Sequence, residues 1–146
     1  MKIFFAIGGF FMTFLMFTFF QKTRQQSITN GAEIYQNFCA QCHLDTGVGV
    51  PGAFPPLNKS EYLFEDITRS IAGIKYGLKG PIVVNGENYN GLMANQGLDD
   101  EEIADVMNYI LNSWDNTYSQ TITTAQIQNC LLYTSDAADE EDSVDL

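Results

Sequence analysis

The sequence predicts an all-α domain of three to four helices, and three observations carry that expectation. Apolar residues recur at helical spacing in two stretches, Ile67-Ile71-Ile74 and Ile103 through Trp114. Two long stretches rich in glycine and proline separate the candidate helices, and loops of that length in a small domain are usually functional or wrapped on something. The third observation is Cys39-Ala40-Gln41-Cys42-His43, two thiols three positions apart with a histidine directly after. This C-x-x-C-H arrangement is the attachment pattern for a c-type haem. Together they describe a small helical domain with an attachment site for one haem.

The chemistry accounts for the spacing. Each cysteine adds to one vinyl group of the porphyrin to form a thioether. Residues three apart share a helix face, so Cys39 and Cys42 reach one porphyrin edge. His43 then turns its ring under the iron as proximal ligand. Two other chemistries compete for these residues. A structural zinc site needs about four ligands, and the best set would be Cys39, Cys42, His43 and Cys130, because the chain has one histidine and three cysteines. A redox dithiol needs the pair beside a βαβ unit, and no such pattern exists here.

Taken from its start, the chain opens with residues 3–20, which carry no charge and are rich in phenylalanine. Eighteen such residues reach the lower end of the range for a membrane-spanning helix, about 17–25, and no small-residue cleavage site follows. An uncleaved signal-anchor is therefore favoured over a removed signal peptide, and either delivers the remainder across the membrane. Residues 1–26 are read as this anchor with a short polar linker, residues 27–118 as the folded domain, and 119–146 as a disordered tail. The last part, 130–146, resembles translated adapter read-through, which would leave Cys130 without a function.

Within the domain, Asn30 with Glu33 has the form of a capping box opening the first helix, and Gly31, Tyr35 and Phe38 lie on one side of it. Residues 44–59 read as loop, offering Phe54 and Leu57 as apolar contacts for a porphyrin edge. Ser60-Glu61 opens a short helical segment. A second helix runs from about Asp66 to Tyr76, stopped by Gly77. Residues 77–97 read as loop again, with a small hairpin possible around Asn85-Gly86. The last helix is the best defined: Asp99 caps it, Glu102 completes the box, and Ile103, Val106, Met107, Ile110, Leu111 and Trp114 form one apolar face.

A second axial ligand follows by elimination. With no second histidine, methionine is the remaining common choice for an electron carrier. Met1, Met12 and Met16 belong to the apolar N-terminal stretch and Met107 to a helix stripe, so Met93 is the candidate. The net charge is −11, and six of the 18 acidic residues lie in the tail. Residues 27–119 hold four basic against twelve acidic side chains, a net of −8. That surface disfavours nucleic acid and favours a redox partner with a basic patch. No general base, nucleophile or phosphate loop is evident, so neither a small-molecule substrate nor an enzyme is expected.

Residues of about 28–116 resemble class I c-type cytochromes. The resemblance rests on Gly31-x-x-x-Tyr35, Cys39-Ala-Gln-Cys42-His43, Phe54-Pro55-Pro56-Leu57, Gly77-Leu-Lys-Gly80-Pro81-Ile82, Tyr89-Asn90-Gly91-Leu92-Met93 and the stretch from Leu98 to Trp114. It implies the cytochrome c fold around one haem c, with the first helix crossing the last so that Gly31 meets Val106 and Tyr109. It also implies that Pro55 offers its carbonyl to His43, which fixes the ring and its basicity. One departure is Ala94, where many relatives carry proline. The expected function is a monohaem carrier of single electrons in a bacterial respiratory chain, anchored in the membrane and facing the periplasm, or soluble there after cleavage. The alternatives are an electron-transfer subunit of a membrane oxidoreductase, such as an alcohol dehydrogenase or terminal oxidase, and a peroxidase or gas sensor in which Met93 is displaced.

Overall fold

The computed structural model describes residues 22–130. The expected membrane helix and residues 131–146 lie outside them. Among the described residues no helix is long and apolar enough to cross a membrane.

The first helix, α1, spans Arg24–Phe38, and its cap falls about two turns earlier than Asn30. Thr23 is its N-cap: the Thr23 hydroxyl accepts from the Gln26 backbone N–H, and the Gln26 side chain accepts from the Thr23 N–H. This reciprocal pair satisfies two donors that a helix start otherwise leaves unpaired. The expected polar linker is therefore part of the domain. Lys22 pairs with Glu101 and Asp105, and Arg24 donates to Asn112 and to the Tyr118 carbonyl. Burial lowers the Lys22 pKa, but the bonds to Asp105 and Glu101 outweigh that and raise it.

A single helical turn, α2 (Ala40–His43), follows directly, and α3 (Glu61–Glu65) and α4 (Ile67–Tyr76) come after the long loop. Ser60 caps α3 and Asp66 caps α4 through their side chains. The small hairpin expected around Asn85-Gly86 is present, but it takes up most of the stretch read as loop after α4, so the domain is not purely helical. Strand β1 (Leu78–Val84) pairs with β2 (Glu87–Met93), from Leu78 opposite Met93 to Val84 opposite Glu87. The two-residue turn Asn85-Gly86 has positive φ at both positions, which matches the twist of a hairpin.

Helix α5 (Asp100–Ile110) carries the apolar face read from the sequence, with Ile103, Val106, Met107, Ile110 and Leu111 all buried. It crosses α1 at Gly31. A Cβ built at Gly31 would stand 2.0 Å from the Asp105 carbonyl oxygen and 2.8 Å from Tyr109 Cβ, so the nearest atoms at the crossing are those of Asp105 and Tyr109. A buried polar chain holds the crossing: Ser27 Oγ donates to Asp105 (2.6 Å), and Asn108 Nδ2 donates to Ser27 Oγ and to the Ile122 carbonyl (both 2.9 Å). The Ile122 N–H returns a bond to Asn108 Oδ1 (2.8 Å).

That last pair of bonds corrects the expectation of a disordered tail from residue 119. Ile122 and Ile127 are buried in the core, and residues 124–130 form a helical segment behind Thr123 and Gln126, which repeat the capping arrangement of Thr23 and Gln26. Cys130 is buried too and points its sulfur at the Thr68 carbonyl. Burial of apolar side chains explains why residues 122–130 hold to the domain.

Candidate haem site

The backbone continues from α1 through a bend at Cys39 into α2. Cys42 N–H and His43 N–H both donate to the Cys39 carbonyl (3.1 and 2.9 Å). This one turn brings Cys39, Cys42 and His43 to the wall of a single cavity of about 370 Å³. Met93, the last residue of β2, lines the same cavity. Cys130 does not, and among the described residues no group of three His, Cys, Asp or Glu side chains could hold a metal ion, so the zinc reading has no site.

The His43 ring is held in one sense. Its Nδ1 lies 2.9 Å from the Pro55 carbonyl oxygen, and a carbonyl only accepts, so Nδ1 carries the proton and Nε2 keeps its lone pair free. Burial pushes the His43 pKa below its ordinary value of 6.5, against the opposing effect of the Pro55 bond. At neutral pH the imidazole is therefore neutral, the form in which it ligates a metal. Burial, with the neighbouring Cys42 adding to it, pushes the Cys39 thiol up to about 11, so it enters the apolar cleft uncharged.

Two aromatic side chains from behind fix the loop after His43. Tyr35 O–H donates to the Leu44 carbonyl (2.7 Å), and Trp114 Nε1–H donates to the Asp45 carbonyl (3.0 Å). Tyr35, Tyr109 and Trp114 pack on one another with ring centroids 4.9–5.5 Å apart. Sequence reading placed Tyr35 in the core but did not find these two bonds, because neither partner carbonyl is marked by its side chain.

The hairpin supplies another part of the wall. Exposure alternates along β1, and its inward positions, Leu78, Gly80, Ile82 and Val84, all line the cavity. On β2, Tyr89, Gly91 and Met93 do the same. The end of α4 fixes Met93 in turn. Gly77 has φ +85°, and a Cβ there would stand 2.7 Å from the Met93 carbonyl oxygen, so only glycine allows this approach.

The donor set and the space fit a haem. The lining is predominantly apolar and includes two thiols, an imidazole and a thioether. Gly73 on α4 is buried on the cavity wall, yet a Cβ built there meets no atom within 4 Å, which leaves a flat face for a planar ring.

A small helical domain with C-x-x-C-H on the wall of an apolar cleft defines a c-type haem protein. The chain belongs to the cytochrome c family, whose model matches residues 28–114. It is 47% identical over 90 residues to cytochrome c-552 of Thermus thermophilus, covering 58% of this chain and 68% of that one. It is also 33% identical over 102 residues to the cytochrome c subunit of the quinone alcohol dehydrogenase of Gluconobacter oxydans, covering 67% of this chain but only 21% of that subunit. The corresponding subunit of Komagataeibacter europaeus matches at 33% over 104 residues, again covering 21% of its length. Members of the family hold haem c, with its iron, covalently, and they are electron carriers and not enzymes.

Proposed function

We propose that Cys39 and Cys42 would hold the haem through two thioethers, that His43 Nε2 and the Met93 sulfur would ligate its iron, and that the domain passes single electrons on the periplasmic side of a bacterial membrane. The single observation that carries this is the convergence of these four side chains on one apolar cavity, with Pro55 fixing the imidazole. When bound, the haem supplies reversible one-electron chemistry at iron. The chain's own residues do the rest. The Pro55 bond orients His43 and raises its basicity. The walls from α4 and β1 keep water from the cleft, and a thioether ligand raises the potential. Gly77 and the hairpin register keep Met93 in place, so little has to rearrange on electron transfer.

The acidic surface, −8 over residues 27–119, supports a partner with a basic patch. The apolar segment 3–20 supports attachment to the membrane, or export with later cleavage. A subunit role in a membrane oxidoreductase is the second reading, favoured by the likeness to the alcohol dehydrogenase subunits. Copurification with a large catalytic chain would separate it from a free carrier.

The ligand assignment is tested with Met93→Ala. The oxidised wild-type protein should show the weak sulfur-to-iron charge-transfer band in the red. The variant should keep its haem, lose that band and bind carbon monoxide tightly when reduced. A variant that kept the band would remove Met93 from the iron.

A further inference from the structure

We propose that Trp114 is a positioning residue for His43: it holds the strained turn behind the imidazole and so sets the bond to Pro55 and the donor strength of the ligand. This deepens the haem reading above and rests on it. Leu44, directly after His43, has φ 62° and ψ 161°. Glycine alone adopts that combination readily, and another residue keeps it only where the surroundings enforce it. Two bonds enforce it here. Tyr35 O–H holds the Leu44 carbonyl, and the Trp114 indole N–H holds the next one, at Asp45. Trp114 itself has a left-handed backbone, φ 53°, and Asp115 follows at φ 68°. The buried Asn116 side chain keeps that turn in place, accepting from the Lys59 N–H and donating to the Leu57 and Ile110 carbonyls. Strained backbone thus stands at both ends of the bond between Trp114 and Asp45, and strain of this kind collects at functional sites.

Packing leads from Trp114 to the imidazole without a gap. A Cβ at Gly47 would fall 2.5 Å from the Trp114 ring, so the indole sets how near the loop lies. The Gly47 carbonyl accepts from the Leu57 and Asn58 N–H groups, at 2.7 and 2.8 Å, which ties the segment after Pro55 to the same point. Gly49 N–H donates to the His43 carbonyl at 3.0 Å. A Cβ at Gly49 would stand 2.7 Å from the Pro55 oxygen, the one that meets His43 Nδ1. His43 and Pro55 are therefore held in register through Gly47 and Gly49, with Trp114 as the outer member of the stack. Without the indole N–H, the Asp45 carbonyl loses its donor, Leu44 can leave its strained geometry, and the Nδ1 bond weakens. A weaker bond makes the imidazole a poorer donor, which favours the reduced iron and raises the potential.

The chain has one histidine and one tryptophan, so each ring N–H gives a single resonance in reduced holoprotein carrying 15N-labelled histidine and tryptophan. The two should exchange slowly with solvent and respond alike to denaturant, because one local opening frees both. Trp114→Phe keeps an aromatic ring and removes the donor. It should retain haem and the red sulfur-to-iron band, speed exchange at His43 Nδ1–H and raise the midpoint potential. Leu44→Gly removes the strain that the clamp opposes, so adding it to Trp114→Phe should return part of both shifts. A role in packing alone predicts no such return. A Trp114→Phe protein whose exchange and potential are unchanged overturns the proposal, and so does a shift that Leu44→Gly does not reverse. If Trp114→Phe loses its haem, the wild type decides alone: indole and imidazole N–H groups that open independently overturn it. A wild-type chain that takes up no haem at all defeats the parent reading along with this one.

Discussion

Two buried glycines on helices mark two kinds of packing in this molecule. At Gly31, α1 lies so close to α5 that an added Cβ would fall 2.0 Å from a backbone oxygen. At Gly73, equally buried, an added Cβ would meet nothing within 4 Å. The first belongs to a frame that protein atoms alone complete, through the Ser27, Asp105, Asn108 and Ile122 bonds and the apolar face of α5. The second belongs to a wall whose other half the cofactor supplies. The domain is thus a close crossing of helices attached to a cleft, and the two halves should answer differently to the same chemical change.

The largest effect is expected from Gly31→Ala. The obstacle is backbone, which cannot swing aside, so the helices must separate; overpacking of this kind costs about 3 kcal/mol or more. Chemical denaturation should show the loss, together with poor haem retention, because Cys39 directly follows α1 as its C-cap. Gly73→Ala should do the opposite to the frame. Replacing a mid-helix glycine with alanine adds about 1 kcal/mol of helix stability, while the methyl group enters the cleft. The haem-free form should become harder to denature and the haem-loaded form should gain less or lose. Equal responses of the two variants would erase the distinction.

The smallest effect concerns pH. Burial, with smaller contributions from Cys39, Tyr109 and Asp45, raises the Tyr35 pKa well above its ordinary value of 10.0. Above that pH the unfolded chain loses the phenolic proton while the folded chain keeps it. The contribution of Tyr35 is therefore fully present below pH 10 and declines as the pH rises beyond it. Tyr35→Phe should flatten that decline while lowering stability at neutral pH by about 1 kcal/mol, because the Leu44 carbonyl loses its donor.

The cleft was more legible in the sequence than the frame around it. Cys39, Cys42 and His43 announce their chemistry by spacing, and Met93 stands out because the other methionines have evident positions elsewhere. Gly31, Asp99 and the stripe from Ile103 to Leu111 were equally plain. The hairpin turn at Asn85-Gly86 was legible, but the length of its strands was not, because Gly80, Pro81 and Gly91 read as loop. They are tolerated where a two-stranded sheet leaves each strand one unpaired edge and the cavity wants small inward residues. Thr23-x-x-Gln26 and Thr123-x-x-Gln126 are capping boxes visible in the sequence. The first was overshadowed by Asn30 and Glu33. The second stood next to an acidic end that discouraged any structural reading. Lys22, Asp105 and Asn108 could not be read at all, since their bonds span 78 to 83 residues or join side chain to backbone.

The most direct measurement is the intact mass of the domain after expression with a haem-attachment system, taken with the pyridine haemochrome spectrum. The account predicts one haem added to the polypeptide mass, resistant to acidified organic extraction, with the spectrum of a porphyrin whose two vinyl groups are saturated. A colourless protein at the mass of the bare chain, from cells that mature other c-type haem proteins, would contradict it.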